Sequence, residues 1–153
     1  MPRLHAVAAL ALTLAVTGCG TQTVRITPPE ADAATGAVCA DLVADLPDTL
    51  LEAERARVRP DSELTAAWGD PAIGLRCGVE RPAGLAPTSY LQEVNGVAWL
   101  PQPEDAPTVY TVVGREAYVE LSVPPAHGAP AAALRQISDL VSEHVPPLPD
   151  GEL

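Results

Sequence analysis

The clearest pattern of apolar and polar positions lies in residues 108–123, TVYTVVGREAYVELSV. Apolar side chains recur at every second position, which is the period of a strand with one buried face. A turn at Gly114–Arg115 would pair Val112 with Ala117 and Tyr110 with Val119. The inward positions of this predicted hairpin are Tyr110, Val112, Ala117, Val119, Leu121 and Val123, and the outward ones are Glu116, Tyr118 and Glu120.

Two other segments have the period of a helix with one buried face. The first runs from Val38 to Leu46 and is ended by Pro47, and the second opens at Pro130 and is halted by Pro146–Pro147. The apolar positions of the first are Val38, Cys39, Leu42, Val43 and Leu46, and those of the second are Leu134, Ile137, Leu140, Val141 and Val145. Both helices therefore have an apolar stripe to pack on a sheet.

Three further segments predict strands. Residues 72–79, AIGLRCGV, form a short apolar run, and Asn95–Gly96 is a hairpin turn signal between two apolar runs. In residues 52–60, EAERARVRP, arginines alternate with apolar residues, which favours a strand, although Glu–Arg pairs at helical spacing leave a helix open. The chain thus predicts an α+β domain with an antiparallel sheet of about four to six strands and two helices on one face.

The N-terminus has the pattern of a bacterial export leader. Arg3 precedes an eleven-residue run, Ala6–Val16, that is apolar but for Thr13 and is too short to cross a bilayer. The following Val-Thr-Gly-Cys resembles a lipobox, which implies cleavage before Cys19 and acylation of its thiol. The predicted organisation is a signal peptide (1–18), a lipid-anchored tether (19–37), one domain (38–146) and a proline-rich tail (147–153). An ordinary cleaved signal peptide is the alternative.

Details of the two terminal segments stay open. A tether over residues 21–37 would span about 20 to 25 Å, although TVRIT within it alternates and could add an edge strand. The tail PPLPDGEL reads as an unstructured end, or as a segment that docks in a groove.

Two cysteines remain once Cys19 is lipidated. Cys39 and Cys77 are predicted to form a disulfide, because the leader directs the chain to an oxidising compartment. A metal site needs three or four ligands and a catalytic cysteine needs a base, and neither is evident. The predicted bridge joins the first helix to the strand in residues 72–79.

The motifs WGDPAIGLRCGV, VNGVAWL and YTVVGREAYVELSVP resemble a family of actinobacterial secreted and lipid-anchored proteins described only as a domain of unknown function. The resemblance covers about Cys39 to Val141. It implies an envelope location and an actinobacterial origin, with no activity to assign to any residue. Gly74 departs from the pattern, since a bulkier strand residue is expected there.

Charge and composition exclude several functions. A formal net charge of -11 repels nucleic acid, so no nucleic-acid partner is expected. The chain has no lysine, which excludes Schiff-base chemistry and a P-loop. No dinucleotide fingerprint is present, and we predict no cofactor and no metal site.

The candidates for catalysis are few. Only His127 and His144 remain after the leader is removed, and no nucleophile elbow is present. His127 is expected to be exposed to solvent and His144 to interact with the end of its helix. Glu116 and Glu120 would lie about 13 Å apart on one strand, beyond the separation of a glycosidase pair. No catalytic residue is therefore assigned.

The candidate binding residues are Trp68, Asp70, Arg76 and Trp99, which could stack on and hydrogen-bond a wall sugar or a peptide. The competing interpretation puts both tryptophans in the core, because the chain has no phenylalanine to fill it. Arg76 is expected either to lie on the opposite face from its strand neighbours or to pair with an acid such as Asp70. Arg55, Arg57 and Arg59 could receive an anion, or pair within the acidic surface.

Together these features predict a binding or accessory module, held on the extracytoplasmic face of the cell membrane by its lipid. Its expected partner is an envelope protein or a cell-wall glycan. The alternative is a cell-envelope hydrolase whose catalytic groups the sequence does not reveal.

The anchor is tested by the variant Cys19→Ala. Without the thiol there is no acylation, and the protein should move from the membrane fraction to the soluble fraction of lysed cells. Several acyl chains, at about 0.8 kcal/mol for each buried methylene, hold the wild-type protein on the bilayer. Persistence of the variant in washed membranes would show that the lipobox interpretation is wrong.

Overall fold

A computed structural model describes residues 22–149 and 151–153. The predicted leader and Cys19 lie outside the described residues. The described residues form two α-helices, α1 (Ala33–Ala44) and α2 (Ala131–His144). The strands are β1 (Thr23–Arg25), β2 (Thr49–Leu50), β3 (Ala53–Glu54), β4 (Arg57–Arg59), β5 (Thr65–Trp68), β6 (Ile73–Val79), β7 (Gln92–Val94), β8 (Val97–Gln102), β9 (Val109–Val113) and β10 (Tyr118–Ser122).

The main sheet has six strands in the order β5-β6-β10-β9-β8-β7, and all its neighbours are antiparallel. Two small two-stranded sheets accompany it, β1 with β4 and β2 with β3. The α+β class, the antiparallel sheet and the two helices are thus confirmed. The strand in residues 72–79 and the Asn95–Gly96 hairpin are present as β6 and as the β7–β8 pair.

Both helices cover one face of the main sheet, which we call the inner face. Its side chains, among them Leu75, Val112 and Leu121, belong to one buried cluster with Leu42 of α1 and Ile137 of α2. All six positions predicted to face inward in the β9–β10 hairpin are buried. The helical stripes are also as predicted, with Val38 and Leu140 only partly buried at their edges.

The predicted disulfide between Cys39 and Cys77 is present and joins α1 to β6. The two chain segments approach closely beside it. Gly78 has φ +86°, and a Cβ there would lie 2.9 Å from the Cβ of Ala31 and 3.5 Å from the Cys39 sulfur. Only glycine allows both this backbone conformation and this contact.

The register of the β9–β10 hairpin differs from the prediction. Tyr110 pairs with Leu121 instead of Val119, and Thr111 pairs with Glu120. The predicted tight turn is wrong because its residues bond elsewhere: Gly114 O accepts from the Leu148 amide, and Arg115 bridges to Pro147. A shift of two residues preserves the face of every side chain, which is why the burial pattern was still predicted correctly.

Helix α1 begins at Ala33, five residues before the first position of the apolar stripe. Asp32 caps it, because its Oδ1 accepts hydrogen bonds from the amides of Ala34 (2.9 Å) and Thr35 (3.0 Å). The hydrogen bond from the Thr35 backbone amide is the main cause of the lowered pKa of the Asp32 carboxyl. The first residues of α1 are small, so the apolar stripe did not indicate this start.

The terminal segments also pack on the domain. The TVRIT segment contains β1, whose Val24 pairs in parallel with Val58 of β4. Leu148 donates its amide to Gly114 O, and Leu153 packs against a cluster of buried side chains. Much of the segment interpreted as a tether, and part of the tail, is therefore folded.

Among the described residues, neither helix combines the length and the apolarity needed to cross a bilayer.

The disulfide is tested by the double variant Cys39→Ser/Cys77→Ser. The two cysteines are 38 residues apart, and closing a loop of that length contributes about 4 kcal/mol in the chain-entropy model. We expect the free energy of unfolding in urea to fall by about this amount. A reductant should destabilise the wild-type protein and leave the double variant unchanged; equal stability of the two proteins would contradict the prediction.

Candidate functional site

A row of polar side chains crosses the other face of the main sheet, which we call the outer face. Thr65 of β5 pairs with Arg76 of β6, Arg76 with Glu120 of β10, and Glu120 with Thr111 of β9. Alternation along each strand places these side chains opposite the helices. The central strands thus carry a polar row where the inner face is apolar.

Apolar clusters cover the outer face at both ends of this row. On the β5 side, Val24 and Ile26 pack against a buried cluster of Ala56, Val58 and Ala67. On the β8 side, a second cluster contains Leu85, Leu100 and Val113, with Leu91, Ala98, Tyr118 and Leu153 packed against it. Arg76 and Glu120, in the middle of the row, therefore lie at the bottom of a valley between two covered regions.

Arg81 holds the cluster on the β8 side of the outer face in place. Its guanidinium donates to the Tyr118 hydroxyl (3.2 Å), to the Leu85 carbonyl oxygen (3.3 Å) and to the Leu153 carbonyl oxygen. It thereby connects strand β10, the segment after β6 and the C-terminal segment. One side of the valley is thus fixed by hydrogen bonds as well as by apolar packing.

The valley contains two adjoining hollows of about 330 and 270 Å³, which share Arg76 and Glu120. Together we call them the outer cleft. The first hollow is lined by Pro29, Glu30, Arg76, Val79, Glu80, Pro82, Gln102, Thr111 and Glu120. The second is lined by Val24, Arg25, Ile26, Ala72, Gly74, Arg76, Glu120 and Ser122.

Gly74 explains part of the cleft's shape. A Cβ at this position would lie 3.3 Å from Cδ1 of Ile26, tighter than an ordinary van der Waals contact. The missing side chain lets the segment after β1 lie close against β6. Gly74, which departs from the expected strand pattern, thus marks the point where the N-terminal segment packs on the outer face.

Arg76 and Glu120 form an ion pair at the centre of the cleft. Arg76 Nε lies 3.5 Å from Glu120 Oε1, and the side chains are 38% and 29% exposed. Nε has no aligned hydrogen-bond partner among the described residues. The predicted alternatives for Arg76 are resolved, since it lies on the opposite face from Ile73 and Leu75 and pairs with Glu120 instead of Asp70.

Charge is unevenly distributed along the cleft. The first hollow has three carboxylates, those of Glu30, Glu80 and Glu120, against the single guanidinium of Arg76. The second hollow has Arg25 and Arg76 against Glu120. The cleft therefore has an acidic end and a basic end, with a partly exposed ion pair between them.

Both tryptophans lie in the core, with 0% exposure. The Trp68 indole N–H donates to Pro47 O, and that of Trp99 donates to the Ser138 hydroxyl, each over 2.9 Å. The polar atom of each ring is thus satisfied inside the protein. The hypothesis that these rings stack on a sugar is wrong for this structure, because neither ring is accessible.

Trp68 also supports Arg55, whose guanidinium carbon lies 5.3 Å from the centre of the indole. Arg55 donates to the carbonyl oxygens of Leu46 (3.0 Å) and Val43 (3.3 Å), near the end of α1. Burial lowers the pKa of Arg55, and the charge of Asp48 opposes this effect. Of the three arginines considered for anion binding, Arg55 thus has a structural role, while Arg57 and Arg59 are exposed.

The four candidate binding residues do not form one site. Trp68 and Trp99 are on β5 and β8, which have three strands between them in the main sheet and so lie about 19 Å apart. Asp70 is exposed in the turn after β5, and of the four only Arg76 lines the outer cleft. The sequence interpretation missed the other cleft residues, although Thr111 and Glu120 were readable as polar residues at outward positions of adjacent strands.

The histidines each have a separate contact. His127 is half-buried, contrary to the expected exposure, and its Nε2 lies 2.6 Å from Pro71 O. Because a carbonyl oxygen only accepts, Nε2 carries the proton. His144, the last residue of α2, has Nε2 3.0 Å from Asp45 Oδ2 at the end of α1, an ion-pair distance without hydrogen-bond alignment. Within the described ranges, no cluster of three or more metal-ligating side chains is present.

The variants Trp68→Ala and Trp99→Ala test whether the rings are structural. Each deletes a buried aromatic side chain, which typically costs about 3–5 kcal/mol of unfolding free energy. Tyr90→Ala is the control, because Tyr90 is 67% exposed and its loss should change stability by less than about 0.5 kcal/mol. Urea unfolding checks all three variants, and a loss below about 1 kcal/mol for the tryptophan variants would refute the core assignment.

Comparison with known proteins identifies the chain by family only. The model of the family described as "Protein of unknown function (DUF3515)" matches residues 2–149. No curated protein matches the chain. No solved structure matches it either. The match spans nearly the whole chain, and the protein therefore belongs to the DUF3515 family.

Proposed function

We propose that this protein is a lipid-anchored binding or accessory module on the extracytoplasmic face of the bacterial cell membrane, and that it binds its partner through the outer cleft. The observation that carries the proposal is the charged centre of the cleft. Arg76 and Glu120 lie in a valley of a size that ligands use, and they stay partly exposed although apolar clusters bury the outer face on the β5 side and on the β8 side.

Two features of the chain support the extracytoplasmic location. The sequence up to Cys19 has the pattern of a lipoprotein leader, and the Cys39–Cys77 disulfide suits an oxidising compartment. The acidic net charge disfavours direct contact with an anionic lipid surface. Attachment to the bilayer would therefore depend on the acyl chains.

The docking of β1 shortens the distance between anchor and domain. Cys19 is four residues before Thr23, where β1 begins, and four extended residues reach about 14 Å. Val24 and Arg25 of β1 also line the second hollow. A lipid on Cys19 would hold this end of the outer cleft near the membrane, where it would meet partners at the base of the envelope.

Site-specific photo-crosslinking in living cells tests the proposal. A photo-crosslinking amino acid at Glu80, in the outer cleft, should capture a defined envelope protein or wall glycan. The same amino acid at Glu143 is the matched control, because Glu143 is also exposed but lies on α2, on the other side of the sheet. Captured material is identified by mass spectrometry.

The comparison of the two positions decides the result. A species captured from Glu80 and absent from Glu143 supports binding through the cleft. Equal capture from both positions, or none above background from Glu80, overturns it.

A further inference from the structure

We infer that the outer cleft recognises a short peptide segment with a free amino group at one end and a free carboxylate at the other. This assignment rests on the proposed function and specifies its ligand. It follows from the charge distribution, the dimensions and the polar lining of the cleft.

The acidic end selects a cation. Glu30 and Glu80 line the first hollow together with Glu120, and only Arg76 opposes them there. Glu30 and Glu80 are exposed, so an ammonium group can reach them while keeping part of its hydration. Charge-assisted hydrogen bonds from an amine to carboxylates are stronger than those between neutral groups.

The centre of the cleft, at Arg76, and its basic end, at Arg25, select an anion. Arg76 is 38% exposed, and its contact to Glu120 is as long as 3.5 Å. A guanidinium has five N–H donors, so Arg76 can bind a carboxylate while it stays next to Glu120. Arg25, further along the cleft, adds a second positive charge.

The distance between the two ends suits a tripeptide. Glu80 follows Arg76 by four residues along β6 and its end, so their Cα atoms are at most about 13 Å apart, because the positive φ of Gly78 interrupts the extended strand between them. An extended tripeptide is about 10 Å long, and a hydrogen bond at each end completes the distance.

The lining between the ends also fits a peptide. Gln102 supplies a partly exposed amide, which can pair with peptide N–H and C=O groups. Pro29, Val79 and Pro82 add apolar surface on which small side chains can pack. The hollow of about 330 Å³ is at the small end of the range for ligand sites, which favours a ligand with small side chains.

Titration calorimetry with blocked peptides tests this assignment. The probes are trialanine, N-acetyl-trialanine, which lacks the cation, and trialanine amide, which lacks the anion. The protein is the full chain, purified in mild detergent. We expect trialanine to bind, and each blocked peptide to bind at least tenfold more weakly, because each lacks one charge-assisted contact.

Variants show whether binding occurs in the outer cleft. Glu80→Gln should lower the affinity for trialanine at least threefold and leave the affinity for N-acetyl-trialanine unchanged. Arg76→Gln should weaken the binding of trialanine and leave the affinity for trialanine amide unchanged. Arg25→Gln, at an exposed position, is a second variant for the basic end in case Arg76→Gln unfolds. Glu143→Gln and Arg135→Gln, at exposed positions on α2, are the charge-matched controls and should bind as the wild-type protein does.

Three results would overturn the assignment. These are no binding of trialanine, binding of either blocked peptide within threefold of trialanine, or binding that the cleft variants do not change. Specific crosslinking from Glu80 without trialanine binding would mean that the ligand class is wrong and the binding module stands. Absence of both would remove the proposed function as well.

Discussion

The architecture depends on one constraint: the six-stranded sheet has two faces, and its two helices can cover only one of them. The inner face is covered by α1 and α2, and the Cys39–Cys77 disulfide ties this layer to β6. The outer face is covered by short segments from distant parts of the chain, including β1, β4 and Leu153. Burying apolar surface is the main favourable term in folding, so these segments contribute to stability although they contain little regular structure.

The outer cleft is a consequence of that incomplete cover. The covering segments bury the apolar residues of the outer face and stop at the central polar row. Apolar surface stabilises the fold only if it is removed from water, whereas a charged pair loses hydration when it is buried. Arg76 and Glu120 are therefore left partly exposed, and the walls formed by the covering segments turn this strip into a cleft with charges at its floor.

Much of the fold was predictable because it depends on local patterns. The alternation in residues 108–123, the helical stripe of α2 and the Asn95–Gly96 turn each concern residues close together in the chain. The hairpin register was not predictable, because it depends on Leu148 and Pro147, which bond to the turn from more than thirty residues away. The start of α1 was missed for a different reason, since it depends on the Asp32 cap and not on an apolar stripe.

The sequence by itself determined the class of the fold, the pairing of Cys39 with Cys77 and the face on which most strand residues lie, because periodicity and cysteine number carry this information directly. Only the tertiary structure decided that Trp68 and Trp99 are buried and that Arg76 meets Glu120. It alone also brought Glu30, Glu80 and Thr111 to one cleft. These side chains come from segments separated by tens of residues, and the order of strands in the sheet, which no local pattern encodes, places them together.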